Sequence, residues 1–329
     1  MPSSDVRNPP PLTRFNPLYP GQIGVPGAWT ETGLRMHCTG AIFYVDPNHT
    51  DANDNRDGTD PTAPLATVAT ALTKCEAYRG DIIYVMANNY WHYGNSADGY
   101  ATPVQESVTV TVPGVRIVGV SQSGVLGVCW RPSAVDGTCI TVRATDVLVE
   151  GFAFLGRTGG TGVDAQWQGG TYYGDTLTVR HCFFDDELDE GISLSYSYNC
   201  DIHHNWFDNC NEYGILGVVA VGDPGYLQIH HNFIYDCETS GIWLPEADRN
   251  HIWENYIYNN LAAAGNAATL ANCLINLTDG SRNLVHHNTL SCVLPAAVAW
   301  DYNATCTAGT GDAWASNWLM DGPSVTNPT

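Results

Sequence analysis

The chain has 329 residues, of which only 14% are charged, yet 34 acidic side chains stand against 13 basic ones for a formal net charge of −21. That balance excludes a nucleic-acid partner, whose phosphates need Lys and Arg, and disfavours an anionic membrane surface. No stretch is long and apolar enough for a membrane span, and the polar start lacks the apolar core of a signal peptide. The 11 cysteines are scattered, with no C-x-x-C pair, and are expected as reduced, buried thiols without a zinc site.

Residues 1–39 are rich in proline, which fixes φ and removes a donor, so neither helix nor central strand is expected there. Leu12, Phe15, Leu18 and Tyr19 nevertheless give this arm apolar anchors, as expected of a segment lying on its own solenoid or on a partner. Strand-like runs follow at Ala41–Val45, Asp81–Met86, Val108–Val112, Val115–Val120 and Cys139–Val142. Between the first two, Leu65, Val68, Ala69, Leu72 and Cys75 have helical spacing with Gly80 as a stop, predicting a helix over about 64–79. Asn53–Gly58 faintly matches a calcium loop but has Pro64 where the closing Glu belongs.

From Val149 onward the chain repeats itself. Copies of one pattern start at Val149, Val179, Ile202, Ile229, Ile252 and Val285. Three residues on stand Phe152, Cys182, Asn205, Asn232, Asn255 and Asn288. Five residues on stand Phe154, Phe184, Phe207, Ile234, Ile257 and Leu290. A second column, Gly191, Gly214 and Gly241, precedes Ile192, Ile215 and Ile242; Ala297–Val298 continues it, and Cys273–Asn276 resumes the strand after an insertion. Repeats of this length that cannot bury an apolar face alone form solenoids, and strand alternation makes this one a β-solenoid. Stacked coils stand about 4.8 Å apart, so Asn205, Asn232, Asn255 and Asn288 are expected to form an amide ladder. The solenoid is assigned to residues 40–306, with the helix capping its first coil, and 307–329 to a terminal cap or tail.

The sequence from Phe43 to Leu72, with the Asn-bearing coils behind it, resembles the right-handed parallel β-helix superfamily of pectate-lyase-like proteins. Within that superfamily it resembles β-helix proteins of tailed-phage virions. The resemblance implies an all-β, right-handed parallel β-helix. It is specific for fold and weak for activity, since the superfamily holds lyases, hydrolases, tailspikes and non-catalytic virion proteins.

The chemistry-bearing candidates are few. Asp185, Asp186, Glu187, Asp189 and Glu190 form an acidic turn, and Asp208, Glu212, Asp236 and Glu238 recur at nearby repeat positions. Were the chain an enzyme, Asp185, Asp186, Asp189, Glu190 and Glu238 would be its candidate carboxylates, since glycoside hydrolysis needs an acid and a carboxylate flanking a sugar bond. The same turns could take Ca²⁺ through oxygen ligands; a solvated acidic turn is the plainer reading. A lyase base is not evident: Lys74, Arg180 and Arg249 fall in no lyase-like motif. His203–His204, His230–His231 and His286–His287, with His181 and His251, are expected as ladder positions and not metal ligands, because neighbours on a strand face opposite ways. Cys210 and Cys237 share a repeat position whose spacing suits a disulfide in an oxidising medium. The 17 Tyr and 10 Trp exceed what a slim core can bury, leaving some for sugars or protein contacts.

Three functions remain open. The favoured one is a non-enzymatic structural protein of a tailed-phage virion, a decoration or cement protein on the outer capsid surface. It would be made in the host cytoplasm, dock on the major capsid protein through the arm, and associate as a homotrimer, with no cofactor. The alternatives are a tailspike-like polysaccharide depolymerase acting at residues 185–190, and an inert glycan-binding module.

Overall fold

A computed structural model describes residues 40–86, 103–120, 128–156, 159–166, 174–185, 187–218, 223–259, 274–292 and 306–319. The chain winds as a right-handed parallel β-helix with three faces. Sheet 1 has ten strands, from Ile42–Val45 to Ala313–Ala315; sheet 2 has nine, from Val104–Gln105 to Trp318–Leu319; sheet 3 has eight, from Val108–Val110 to Cys306–Thr307. Among the described residues every strand pair is parallel, and each coil sits in register on the one before it. In one coil Asp201–His203 lies in sheet 1, Trp206–Asp208 in sheet 2 and Tyr213–Val218 in sheet 3. These pair onward with Gln228–His230, Phe233–Tyr235 and Ser240–Trp243.

The repeated aliphatics fill the interior. Val149, Val179, Ile202, Ile229, Ile252 and Val285 are fully buried. Beside them Phe154, Phe184 and Phe207 stack with ring centroids 5.2 and 4.6 Å apart, and Ile234, Ile257 and Leu290 continue their column. Each interior position is therefore packed against its own copies above and below.

The Asn ladder forms as expected. The Asn205 Nδ2 donates to Asn232 Oδ1 at 3.1 Å, Asn232 to Asn255 at 3.0 Å, and Asn255 to Asn288 at 2.9 Å. The backbone N–H of each of these residues donates to the same oxygen. At the near end the ladder caps the Cys182 N–H; at the far end it continues to Asn317. The residue before each Asn is left-handed: His204, His231, Glu254, His287 and Ser316 have φ of 55, 53, 53, 54 and 54°. This single left-handed residue turns the chain from sheet 1 into sheet 2. The buried amide then satisfies backbone groups that such a tight corner would orphan.

A second ladder runs along the opposite corner. Asn250 Nδ2 donates to Asn283 Oδ1 at 2.9 Å, and Asn283 Nδ2 to Asp312 Oδ1 at 3.1 Å. Its sequence signal is the Arg-Asn pair two residues before Ile252 and Val285, which reasoning from the first column alone passed over.

Two boundaries move. The helix is Val68–Lys74, shorter than 64–79. Thr67 caps it and accepts from the Thr70 N–H, and Val68, Ala71 and Leu72 close the first coil. The solenoid also runs past 306: Ala313–Ala315 and Trp318–Leu319 pair on sheets 1 and 2, because Trp314 and Asn317 carry the repeat one coil further. Residues 320–329, like the arm with Leu12, Phe15, Leu18 and Tyr19, lie outside the described residues.

Candidate functional site

The described carboxylates of the acidic turn divide between two faces: Asp185 follows the sheet 2 strand one coil before Asp208, and Glu190 opens the sheet 3 strand Glu190–Ser195. Asp186 lies outside the described residues. The Asp185 backbone N–H donates to the Phe154 carbonyl, and the Asp185 side chain follows the outward column of sheet 2. The Asp189 carboxylate accepts from the Gly160 N–H at 3.2 Å and from Asn211 Nδ2 at 3.4 Å, which ties one coil to the next. Glu187 reaches Arg131 at 3.6 Å. Glu238 donates its backbone N–H to the Cys210 carbonyl, continuing the ladder of turns. What the fold does bring together is Glu190 with Asp189, Glu212 and Asp164. Burial holds the Glu190 carboxyl above its usual range; the Thr161 hydroxyl, donating at 2.8 Å, works the other way, and the neighbouring carboxylates push it further up.

Asp164, which sequence reasoning missed, is the most deeply buried carboxylate of this group. It stands on the sheet 3 strand Thr161–Ala165, paired with Ser193 of the next coil. Burial raises its pKa, against hydrogen bonds from Gln166 and Ser193 and the charge of Arg143. Arg143 donates to Gln166 Oε1 at 2.8 Å, so Arg143, Gln166 and Asp164 form a chain. Tyr213, two coils along, and Trp243, three coils along, lie with ring centroids 4.6 Å apart. Nothing in the repeat marks Asp164, because the neighbouring copies place Ser193 and Leu216 in that column.

The histidines depart from the strand rule. The second of each pair occupies the left-handed corner and is no longer a strand residue, so the two rings meet. Their Nδ1 atoms stand 2.7 Å apart in His203–His204, 2.8 Å in His230–His231 and 2.6 Å in His286–His287. Between coils the ladder expectation holds: His203 stacks on His230 and His204 on His231, both at 4.9 Å. His230 Nε2 lies 3.1 Å from Asp201 Oδ1, and His231 Nε2 lies 2.8 Å from Glu254 Oε2. His251 and His286 face each other through Nε2; burial and then the neighbouring imidazoles lower their pKa.

The outward face of sheet 2 is aromatic. Phe183, Trp206, Phe233 and Tyr256 form one column; Tyr235 and Tyr258 continue a second, in which Asp208 stands one coil before them. Phe233 lies on Tyr256 at 4.9 Å and 2°, and Tyr235 on Tyr258 at 5.0 Å and 12°, so these rings spend their faces on one another. Trp206 is turned 68° from both neighbours and is 42% exposed. Cys75, Cys129, Cys139, Cys182, Cys200, Cys210 and Cys237 are in no disulfide; burial pushes Cys129, Cys182 and Cys200 up to about 12, where they are unreactive. Among the described residues no helix is long and apolar enough to cross a membrane.

This architecture is that of a right-handed parallel β-helix. A family model described as "Periplasmic copper-binding protein (NosD)" matches residues 152–305, just under half of the chain. The GH136 lacto-N-biosidase from Eubacterium ramulus superposes with a TM-score of 0.63 at 13% identity, covering 87% of this chain and 57% of that one. The chain thus spans little more than half the length of that enzyme, and the likeness is one of fold. Pectate lyase Pel9A (TM-score 0.49, 12% identity, 88% and 80% covered) and ORF18 of Geobacillus virus E2 (0.45, 14%, 87% and 60%) overlay too loosely to bear on function. No curated protein sequence matches the chain.

Proposed function

We propose that this chain is a non-enzymatic structural protein of a tailed-phage virion, a decoration or cement protein on the outer capsid surface. In this reading it is a homotrimer, docks on the major capsid protein through residues 1–39 and needs no cofactor. The observation that carries the reading is the aromatic outward face of sheet 2, set in a chain of net charge −21. Strongly acidic surfaces repel one another, so a ridge of uncharged rings is where copies can meet. Rings stacked face to face offer edges, which suit packing against protein better than sugar binding. The resemblance of the sequence to phage β-helix proteins supplies the setting. The test is to mix the purified chain with capsids lacking it and to count copies after sedimentation. Stoichiometric occupancy is expected, lost when residues 1–39 are removed; absence of binding by the full chain overturns the reading.

A second reading, a polysaccharide hydrolase, is favoured by Glu190 and Asp164, two carboxyls on one sheet whose burial keeps them prone to hold a proton. A screen against bacterial polysaccharides decides it: release of reducing ends, abolished by Glu190→Gln, would replace the structural reading. The glycan-binding module is the weaker alternative, resting on the face of Trp206 alone.

A further inference from the structure

Each corner pair of histidines is held by one shared hydrogen. In His203–His204, His230–His231 and His286–His287 one Nδ1 donates and the other accepts, so one ring of each pair must keep a bare Nδ1. An imidazolium carries hydrogen on both nitrogens. Two charged rings would therefore set N–H against N–H, and the contact could not survive. The same count applies between coils, where His251 Nε2 faces His286 Nε2. Stacking adds like charge, since His203 lies on His230 and His204 on His231 with ring centroids 4.9 Å apart. With His181, whose ring lies 5.4 Å from that of His204, this corner gathers eight of the chain's 11 histidines.

We propose that this corner is an acid-sensitive latch. Near neutral pH the shared hydrogens close the turns from sheet 1 into sheet 2 in the coils of Ile202, Ile229 and Val285. On acidification both rings of a pair become charged, the Nδ1 contacts open and those coils loosen. Among the described residues three carboxylates pair with these rings. Asp201 stands 3.1 Å from His230 Nε2 and 3.9 Å from His203 Nε2, Glu254 2.8 Å from His231 Nε2, and Glu150 3.4 Å from His181 Nδ1. Arg180 already pairs with Glu150 at 3.1 Å, so these acids cannot offset a corner in which every ring is charged. Burial and then neighbouring imidazoles hold His251 and His286 below the usual range. The stability they give is full above the unfolded value of 6.5 and is lost as pH falls through their folded values. The earlier coils have no such latch. The sheet 1 strands Ile82–Met86, Arg116–Val120 and Leu148–Glu150 carry no histidine, and Gly151 takes the left-handed corner after the last of them.

Amide exchange of the full chain, corrected for the intrinsic effect of pH, tests this at about pH 7.5 and about pH 5, either side of the ordinary imidazole value. On acidification, protection at Ile202 and Ile229 is expected to fall roughly tenfold or more relative to Ile83 and Ile117. A triple variant, His204→Asn with His231→Asn and His287→Asn, leaves one ring per pair and keeps the left-handed corners, which Asn adopts readily. It should stay protected in acid. A parent chain equally protected at both pH values overturns the latch, as does a triple variant that loosens like the parent. Nitrogen NMR of the parent's rings decides the matter without a variant. Both rings of each pair should become fully protonated only over the pH interval in which protection falls. Pairs fully protonated while protection at Ile202 and Ile229 is intact overturn the proposal.

Discussion

At the scale of single residues, the ladder amides and the buried carboxylates have opposite effects on stability. Asn232 Oδ1 takes two donors from Asn205, and its own Nδ2 satisfies the Ile202 carbonyl. Asn232→Ala leaves two buried N–H groups without a partner at a cost of about 1–3 kcal/mol each. A loss of about 2–5 kcal/mol is therefore expected in urea melts, while an exposed control such as Glu246→Ala changes little. Asp164 behaves in the other sense. Burial raises its carboxyl above the ordinary 3.8, so the native state keeps a proton that the unfolded chain has already lost. Its contribution is fully present below the unfolded value and falls away as pH rises through the folded one. Asp164→Asn removes that dependence. The variant should melt above the parent at neutral pH, with the gap closing on acidification towards the unfolded pKa. A variant no more stable than the parent at neutral pH would mean that the hydrogen bonds from Gln166 and Ser193 outweigh the burial.

At the scale of elements, the seven-residue helix Val68–Lys74 is too short to persist alone. It is held from outside: the Glu106 carboxylate accepts from the Val68 and Ala69 N–H groups at 2.9 and 3.1 Å, and Asp54 accepts from Ala66 and Thr67. Glu106→Ala should release the first turn, seen as faster amide exchange at Val68 and Ala69 with exchange at Ile229 unchanged. Equal acceleration at both sites would mean that the helix is part of the global folding unit. These external acceptors explain which features were legible in advance. Coils were, because period and alternation are properties of local sequence; Asn205, Asn232, Asn255 and Asn288 fell into one column from spacing alone. The helix was overextended because its start is held by Asp54 and Glu106, which are remote in sequence, and the chain beyond its end is drawn away by Asp81, whose carboxylate accepts from the Glu76 N–H. The site was less legible than the fold. The His residues stack as ladder positions, but the rings of each pair meet where opposite facing was expected, because one left-handed residue interrupts the strand rule; Asp164 was invisible because no other coil repeats it.

At the scale of the whole molecule, charge and apolar surface compete. Bringing copies of a −21 chain together costs Coulomb energy that is screened over about 10 Å at 0.1 M salt. The aromatic ridge of sheet 2 favours association through apolar contact, which salt does not screen. Self-association through that ridge should therefore strengthen with salt, opposite to a contact built on ion pairs. Light scattering across a salt series is expected to show the trimer fraction rising with NaCl. Trp206→Glu, which places a carboxylate on the ridge where the indole is 42% exposed, should keep the chain monomeric at every salt concentration while leaving its melting temperature nearly unchanged. Trp318→Glu, on the same face and 70% exposed, tests how far along the solenoid the contact extends. A trimer that forms equally well in the Trp206→Glu variant would move the contact to another face. A monomer at high salt in the parent chain would leave the ridge free for the capsid, and cross-linking from residue 206 on occupied capsids would then name its partner.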